Sequence, residues 1–173
     1  MNLPENFELD ELTALARLDI EQGRVEQGLS KLKAILVQEP PPPEAVSMAA
    51  RLYAQLRLFD RALPLFERYL SMRPGAVDET FQLGMVLLDK GDSQRALEIW
   101  EEQLRQQPTF PPGLFYCAVV LSRQGKIAEA KRNLDVLLQT APADNLYYER
   151  SQGLLQAIEG GAVQASASPA YQA

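Results

Sequence analysis

Residues 87–108, LLDKGDSQRALEIWEEQLRQQP, carry an apolar helical rhythm that breaks at Gly91-Asp92, restarts at once, runs through Trp100 and ends at Pro108. The same punctuation recurs along the chain, for Pro40, Pro74, Pro108 and Pro142 are each separated by 34 residues. Twelve residues before each proline stand Gly28, Ala62, Ala96 and Ala130, all small. Eight before stand Leu32, Phe66, Trp100 and Leu134, and four before stand Leu36, Leu70, Leu104 and Leu138. Further upstream, Ala16, Ala50, Gly84 and Ala118 form a second small column, followed two residues later by Leu18, Leu52, Val86 and Val120. Such phased columns are the signature of a repeat architecture.

The columns describe one helical hairpin written four times. A small residue in each helix lets two backbones approach, and the bulky column fills the space beside that contact. Gly23, Gly91 and Gly125 fall between the paired helices, where a helix ends in a left-handed residue. Asp92 suits the start of the next helix, because its carboxylate can accept from free first-turn amides. Each proline lacks an amide hydrogen and closes its unit.

These residues give the chain a resemblance to the tetratricopeptide repeat family, whose small, aromatic and proline pattern stands here as Ala62/Phe66/Pro74 and Ala96/Trp100/Pro108. Gly28/Leu32/Pro40 and Ala130/Leu134/Pro142 follow it more loosely, with Leu83-Gly84 and Ala49-Ala50 with Tyr53 carrying the first-helix signature. The resemblance implies an all-α fold, a right-handed superhelix or α-solenoid of four helix-turn-helix repeats over 9–42, 43–76, 77–110 and 111–143. Residues 1–8 read as a lead-in, and 144–159 as a capping helix with Leu146, Tyr147, Tyr148, Leu154, Leu155 and Ile158 on one apolar stripe. Residues 160–173 are small and uncharged after Gly160-Gly161, an expected disordered tail. The four prolines at 40–43 read as a stiff connector, with a polyproline ligand as the alternative. Two departures stand out: Arg57 occupies a turn-glycine position with Pro64 following, which predicts a kinked or longer hairpin, and Asp19 replaces an apolar residue, which predicts a face left to water.

Composition narrows the work such a chain can do. At 46% hydrophobic content it can build a core, and with 23 acidic against 17 basic residues it has no cationic field for a phosphate backbone. No run nears the about 18 apolar residues that span a bilayer. The acidic start MNLPENFELDEL does not resemble a secretory signal, so cytosol is expected, with a peripheral place at a membrane-bound machine left open. Histidine is absent, which removes the commonest general base and most zinc sites, and no glycine-rich phosphate loop appears. Cys117 lies in a core column and reads as a small hydrophobe sooner than a reactive thiol. Asp78-Glu79 and Glu101-Glu102 read as solvated surface, and Trp100 as core. Neither an enzyme nor a cofactor is expected.

What remains is surface. The resemblance implies an inner groove lined by first helices, and the positions not claimed by core columns are Thr13, Arg17, Ser47, Arg51, Phe81, Met85, Leu88, Phe115, Val119 and Ser122. Arg17 and Arg51 would border an apolar groove and take the acidic end of an amphipathic helix or extended peptide. Phe81, Met85 and Phe115 would be its hot spots. The plainer alternative is that these residues touch the capping helix or neighbouring repeats. Family members that clamp the acidic end of a heat-shock chaperone use lysines and asparagines here, so that role is not expected. Chaperones of bacterial type III secretion are similar in size, but the dimerisation segment that precedes their repeats has no counterpart before residue 9. Two functions stay in play: a non-catalytic adaptor or chaperone-like module binding a protein or peptide, and a scaffold or self-assembling subunit of secretion, pilus or envelope machinery. Net charge alternates by repeat, with 8 acidic and 4 basic residues in 1–40, 3 and 5 in 41–74, 7 and 3 in 75–108, and 2 and 4 in 109–142. That pattern suits head-to-tail stacking or an ordinary solvated face equally.

Overall fold

The computed structural model describes residues 8–161. Among them are nine helices and no strand: α1 (Leu9–Glu21), α2 (Val25–Leu36), α3 (Pro43–Gln55), α4 (Phe59–Met72), α5 (Val77–Lys90), α6 (Ser93–Gln106), α7 (Pro111–Arg123), α8 (Ile127–Thr140) and α9 (Leu146–Glu159). The expected lead-in before residue 8 and the tail from residue 162 lie outside the described residues. The chain divides into unit 1, residues 1–86, and unit 2, residues 87–173, with the boundary inside α5.

One turn geometry joins every hairpin. In unit 1 the Gly23 amide donates to the Ile20 carbonyl at 3.0 Å and the Arg24 amide to the Asp19 carbonyl at 2.7 Å. Arg57 and Leu58 repeat the pattern onto Ala54 and Tyr53 at 2.9 and 2.8 Å. In unit 2, Gly91 and Asp92 do so onto Leu88 and Leu87, and Gly125 and Lys126 onto Ser122 and Leu121. These paired bonds satisfy the last orphan carbonyls of the first helix, and they require a left-handed residue. Gly23, Gly91 and Gly125 supply it with φ of 76°, 95° and 76°, and Arg57 adopts 57°. The expectation of a longer second hairpin is therefore corrected: Arg57 accepts the left-handed conformation and the turn keeps its length. Nor does Pro64 end α4, which runs on to Met72, because Pro64 sits on the exposed side where one missing amide bond is tolerated.

Unit 1 is built around Leu12 and Ala16 of α1, Leu32 and Ile35 of α2, and Ala45, Ala49 and Leu52 of α3. Each large aliphatic so buried contributes about 1.5–3 kcal/mol. Where the other repeats have alanine, repeat one has Gly28, and a Cβ there would stand 2.6 Å from Ile20 Cγ1 and 3.0 Å from the Ala16 carbonyl oxygen. The glycine is thus fitted to Ile20, which brings α1 and α2 closer than an alanine allows. Two sequence expectations change. Asp19 is buried, not left to water: it accepts from Arg24 Nε at 2.8 Å and pairs with Lys31 of α2. Those two bonds, Lys31's the stronger and Arg24's next, hold its carboxyl below the ordinary aspartate range. Conversely Leu18, in a column otherwise buried, is 44% exposed, because the described residues leave its face of α1 open.

Unit 2 has Trp100 and Leu134 fully buried, with Ala96, Ala118 and Ala130 at the close approaches. α6 begins at Asp92, whose carboxylate accepts from the Arg95 amide at 3.2 Å. α9 packs on both α7 and α8. Its apolar stripe is corrected at one end: Leu146 is 60% exposed at the first helical position, while Ser151 and Ile158 are buried.

Candidate functional site

The first helices of unit 1 frame a cavity of about 690 Å³. Arg17 of α1, Ser47, Met48 and Arg51 of α3, and Glu79 of α5 line it, with Tyr69 and Arg73 contributing from the α4 side. Residues Arg17 and Arg51 are one repeat apart, and each reaches an acid on the next first helix: Arg17 pairs with Glu44 and Arg51 with Glu79. The result is two ionic rungs, α1 to α3 and α3 to α5.

The lower rung is anchored. Glu79 is only 6% exposed, and the Ser47 hydroxyl donates to its Oε1 at 2.8 Å. A carboxylate this buried needs such partners, since an unpaired charge away from water is costly. Glu79 was expected at a solvated surface beside Asp78; the first turn of α5 instead turns Asp78 outward and Glu79 toward α3. Ser47 is accordingly a buried hydroxyl that positions Glu79 at the cavity wall. Arg17 and Arg51 both already hold carboxylates of the chain, so an acidic ligand would compete there with Glu44 and Glu79. Counting Asp10, Glu44 and Glu79 against Arg17, Arg51 and Arg73, the cavity lining is neutral. Thr13 is buried and its hydroxyl donates to the Leu9 carbonyl at 2.7 Å. Met85, named as a hot spot, is buried, and Phe81 is half-buried and engaged; neither lines the cavity.

In unit 2 the corresponding face is covered. Phe115 meets Tyr147 of α9 at a ring separation of 5.6 Å and Tyr116 at 5.3 Å edge-on. Tyr116 in turn approaches Trp100 at 5.6 Å, and the Arg150 guanidinium lies 5.7 Å over the Tyr147 ring. Offset and edge-on rings at these separations attract beyond their buried area. Burial pushes both the Tyr116 and Tyr147 phenols above their ordinary range. Val119 and Ser122 are buried, the Ser122 hydroxyl being held by the Val119 carbonyl at 2.9 Å, and Leu88 is half-buried. Of the positions read from the sequence as groove lining, the structure brings Arg17, Ser47 and Arg51 together at one cavity and places Phe115 under the chain's own α9. Glu44 and Glu79 were missed. The signal for them was an acid 27 and 28 residues after each groove arginine.

Cys117 is fully buried, and burial pushes its thiol up to about 12, far from a reactive thiolate. Among the described residues no group of His, Cys, Asp or Glu gathers as metal ligands would, and no helix is long and apolar enough to cross a membrane.

A tetratricopeptide repeat model matches residues 13–77 and again 47–111. WspC of Pseudomonas putida, a probable biofilm formation methyltransferase, is 35% identical over 66 residues, which make up 38% of this chain and 16% of that protein. This chain therefore spans only a small part of that relative's length. Among solved structures, MamA AMB-1 superposes with a TM-score of 0.73 at 19% identity, over 87% of this chain and 82% of that one. A MamA RS-1 double mutant gives 0.71 at 16% identity, over 88% and 93%. MamA MSR-1 gives 0.67 at 18% identity, over 89% and 80%. At these identities the likeness is one of fold.

Proposed function

The chain belongs to the tetratricopeptide repeat family, whose repeats serve protein interaction or scaffolding, and from that premise we propose that it is a non-catalytic adaptor whose unit 1 cavity receives a segment of another protein. The observation that carries this reading is the neutral, half-polar cavity of about 690 Å³ held open between first helices by the Arg17–Glu44 and Arg51–Glu79 rungs. A volume of that order is in the range of sites that enclose a ligand. Because each arginine is already neutralised, an acidic terminus gains little there. The occupant that fits is an extended segment with neutral polar groups for the rungs and an aliphatic side chain beside Met48 and Leu52. Methyl transfer is not carried over from WspC, since the shared stretch is a minor part of that protein.

The test is selection of peptides from a random display library on this chain and on a variant with Arg17→Glu and Gln55→Trp, two exposed lining residues whose replacement obstructs the cavity. Peptides held by the first and lost by the second are the expected result. If no peptide is selected, or the obstructed variant holds them equally, the cavity is not a binding site. The scaffold reading would then take its place, and sedimentation showing a mass that climbs with protein concentration would establish it.

A further inference from the structure

We propose that the tip of the α3–α4 hairpin, residues Leu56 to Arg61, is a second docking surface, and that its partner is an acidic, aliphatic protein segment. The inference is independent of the cavity reading. It begins from a comparison of the four turns. The residues flanking the left-handed position are Gln22 and Arg24, Lys90 and Asp92, and Gln124 and Lys126 in three hairpins, all polar. In the second they are Leu56 and Leu58, 44% and 43% exposed. Two leucines held nearly half in water thus mark a turn whose counterparts in the other three hairpins are polar.

The residue between them adds a second observation. Arg57 occupies a conformation that the other three hairpins assign to glycine. A strained backbone retained where an unstrained residue would serve points to a use for the side chain. Among the described residues no carboxylate pairs with that side chain: the Arg57 guanidinium lies 5.3 Å over the Phe59 ring, and the Arg61 guanidinium 5.7 Å over the Tyr53 ring. By contrast Arg17, Arg24, Arg51, Arg68 and Arg105 each meet a carboxylate of the chain. Both arginines are exposed, and each guanidinium sits near a ring face, so its N–H groups stay within reach of an incoming acceptor. Asp60, already engaged, supplies the one acid of the tip. The surface thus presents two preorganised cations beside two aliphatic knobs, and carboxylates with leucine-like side chains are its complement.

The experiment uses the whole chain and a fluorescein-labelled twelve-residue peptide of alternating aspartate and leucine pairs, with a lysine-for-aspartate peptide as control. The acidic peptide should bind, weaken as salt is raised, and lose roughly tenfold in affinity or more with Arg57→Gly and Arg61→Gln together. Glycine keeps the turn, so circular dichroism should be unchanged; should that pair fail to fold, Leu56→Ser with Leu58→Ser is expected to produce the same loss. The proposal is overturned if the acidic peptide does not bind, if the lysine peptide binds as well, or if the tip variants bind like the native chain. Loss of binding on the cavity-obstructed variant alone would also overturn it, while leaving the cavity reading standing.

Discussion

The first-helix face of unit 1 is hollow and ionic; that of unit 2 is filled and aromatic. Both come from one 34-residue cassette, so the difference lies outside the columns that make the hairpin. In unit 1 the positions beside the core carry Arg17, Ser47 and Arg51, which join helix to helix by charge and leave space between. In unit 2 the equivalent face carries Phe115, Val119 and Ser122, and α9 lays Tyr147 on Phe115. The lesson is that a repeat fixes the scaffold, and a handful of unconstrained positions decides whether its inner face stays available or becomes core.

Three experiments would break or sharpen that contrast, and Trp100, the single tryptophan, is fully buried in unit 2 and serves as its fluorescent probe. The largest effect is expected from Phe115→Ala, which removes a half-buried ring from the aromatic cluster and should cost unit 2 about 2 kcal/mol in urea unfolding followed by Trp100 fluorescence. A change below about 0.5 kcal/mol would mean that α9 covers the face without supporting it. Next, Gly28→Ala should cost about 1.5 kcal/mol by overpacking against Ile20. Hydrogen exchange should show the loss at α1 and α2 amides and leave α7 to α9 unaffected, although alanine is the native residue at this position in the other repeats. The smallest is a pH effect confined to unit 1. Because the folded-state pKa of Asp19 is depressed by Lys31 and then Arg24, its contribution is present above the unfolded value and is lost as pH falls below about 4 through the folded value. Exchange at α1 and α2 should accelerate there in the native chain, and Asp19→Asn should flatten that acid limb. An unchanged limb would mean that the two cations, both partly in water, add nothing.

Much of the fold was legible because it is written in residues that act locally or periodically. The turn glycines, the prolines and the buried Leu32/Phe66/Trp100/Leu134 column follow from spacing alone. The face was less legible. Arg17 and Arg51 stand out as groove residues, but that each is already neutralised depends on Glu44 and Glu79, which only helix stacking brings within reach. Asp19 looked like a concession to solvent because its second partner, Lys31, lies on another helix. Phe115 was read as a hot spot for the same reason: an aromatic residue at an inner-face position looks alike in sequence whether a partner or the chain itself covers it. Arg57 defeated a rule and not a distance, since a left-handed arginine is rare and glycine was the natural expectation.

The two rungs join the first helices of unit 1 by charge, where the inner face of unit 2 is joined by rings. Arg17 and Glu44 are each about half in water, so the force tying α1 to α3 is screened by dissolved ions over about 8 Å at physiological strength, whereas the buried Glu79 shields the tie of α3 to α5. The α1–α3 rung should accordingly weaken as salt is raised while the α3–α5 rung holds. The aromatic seam of unit 2 rests chiefly on ring contacts, which salt screens little.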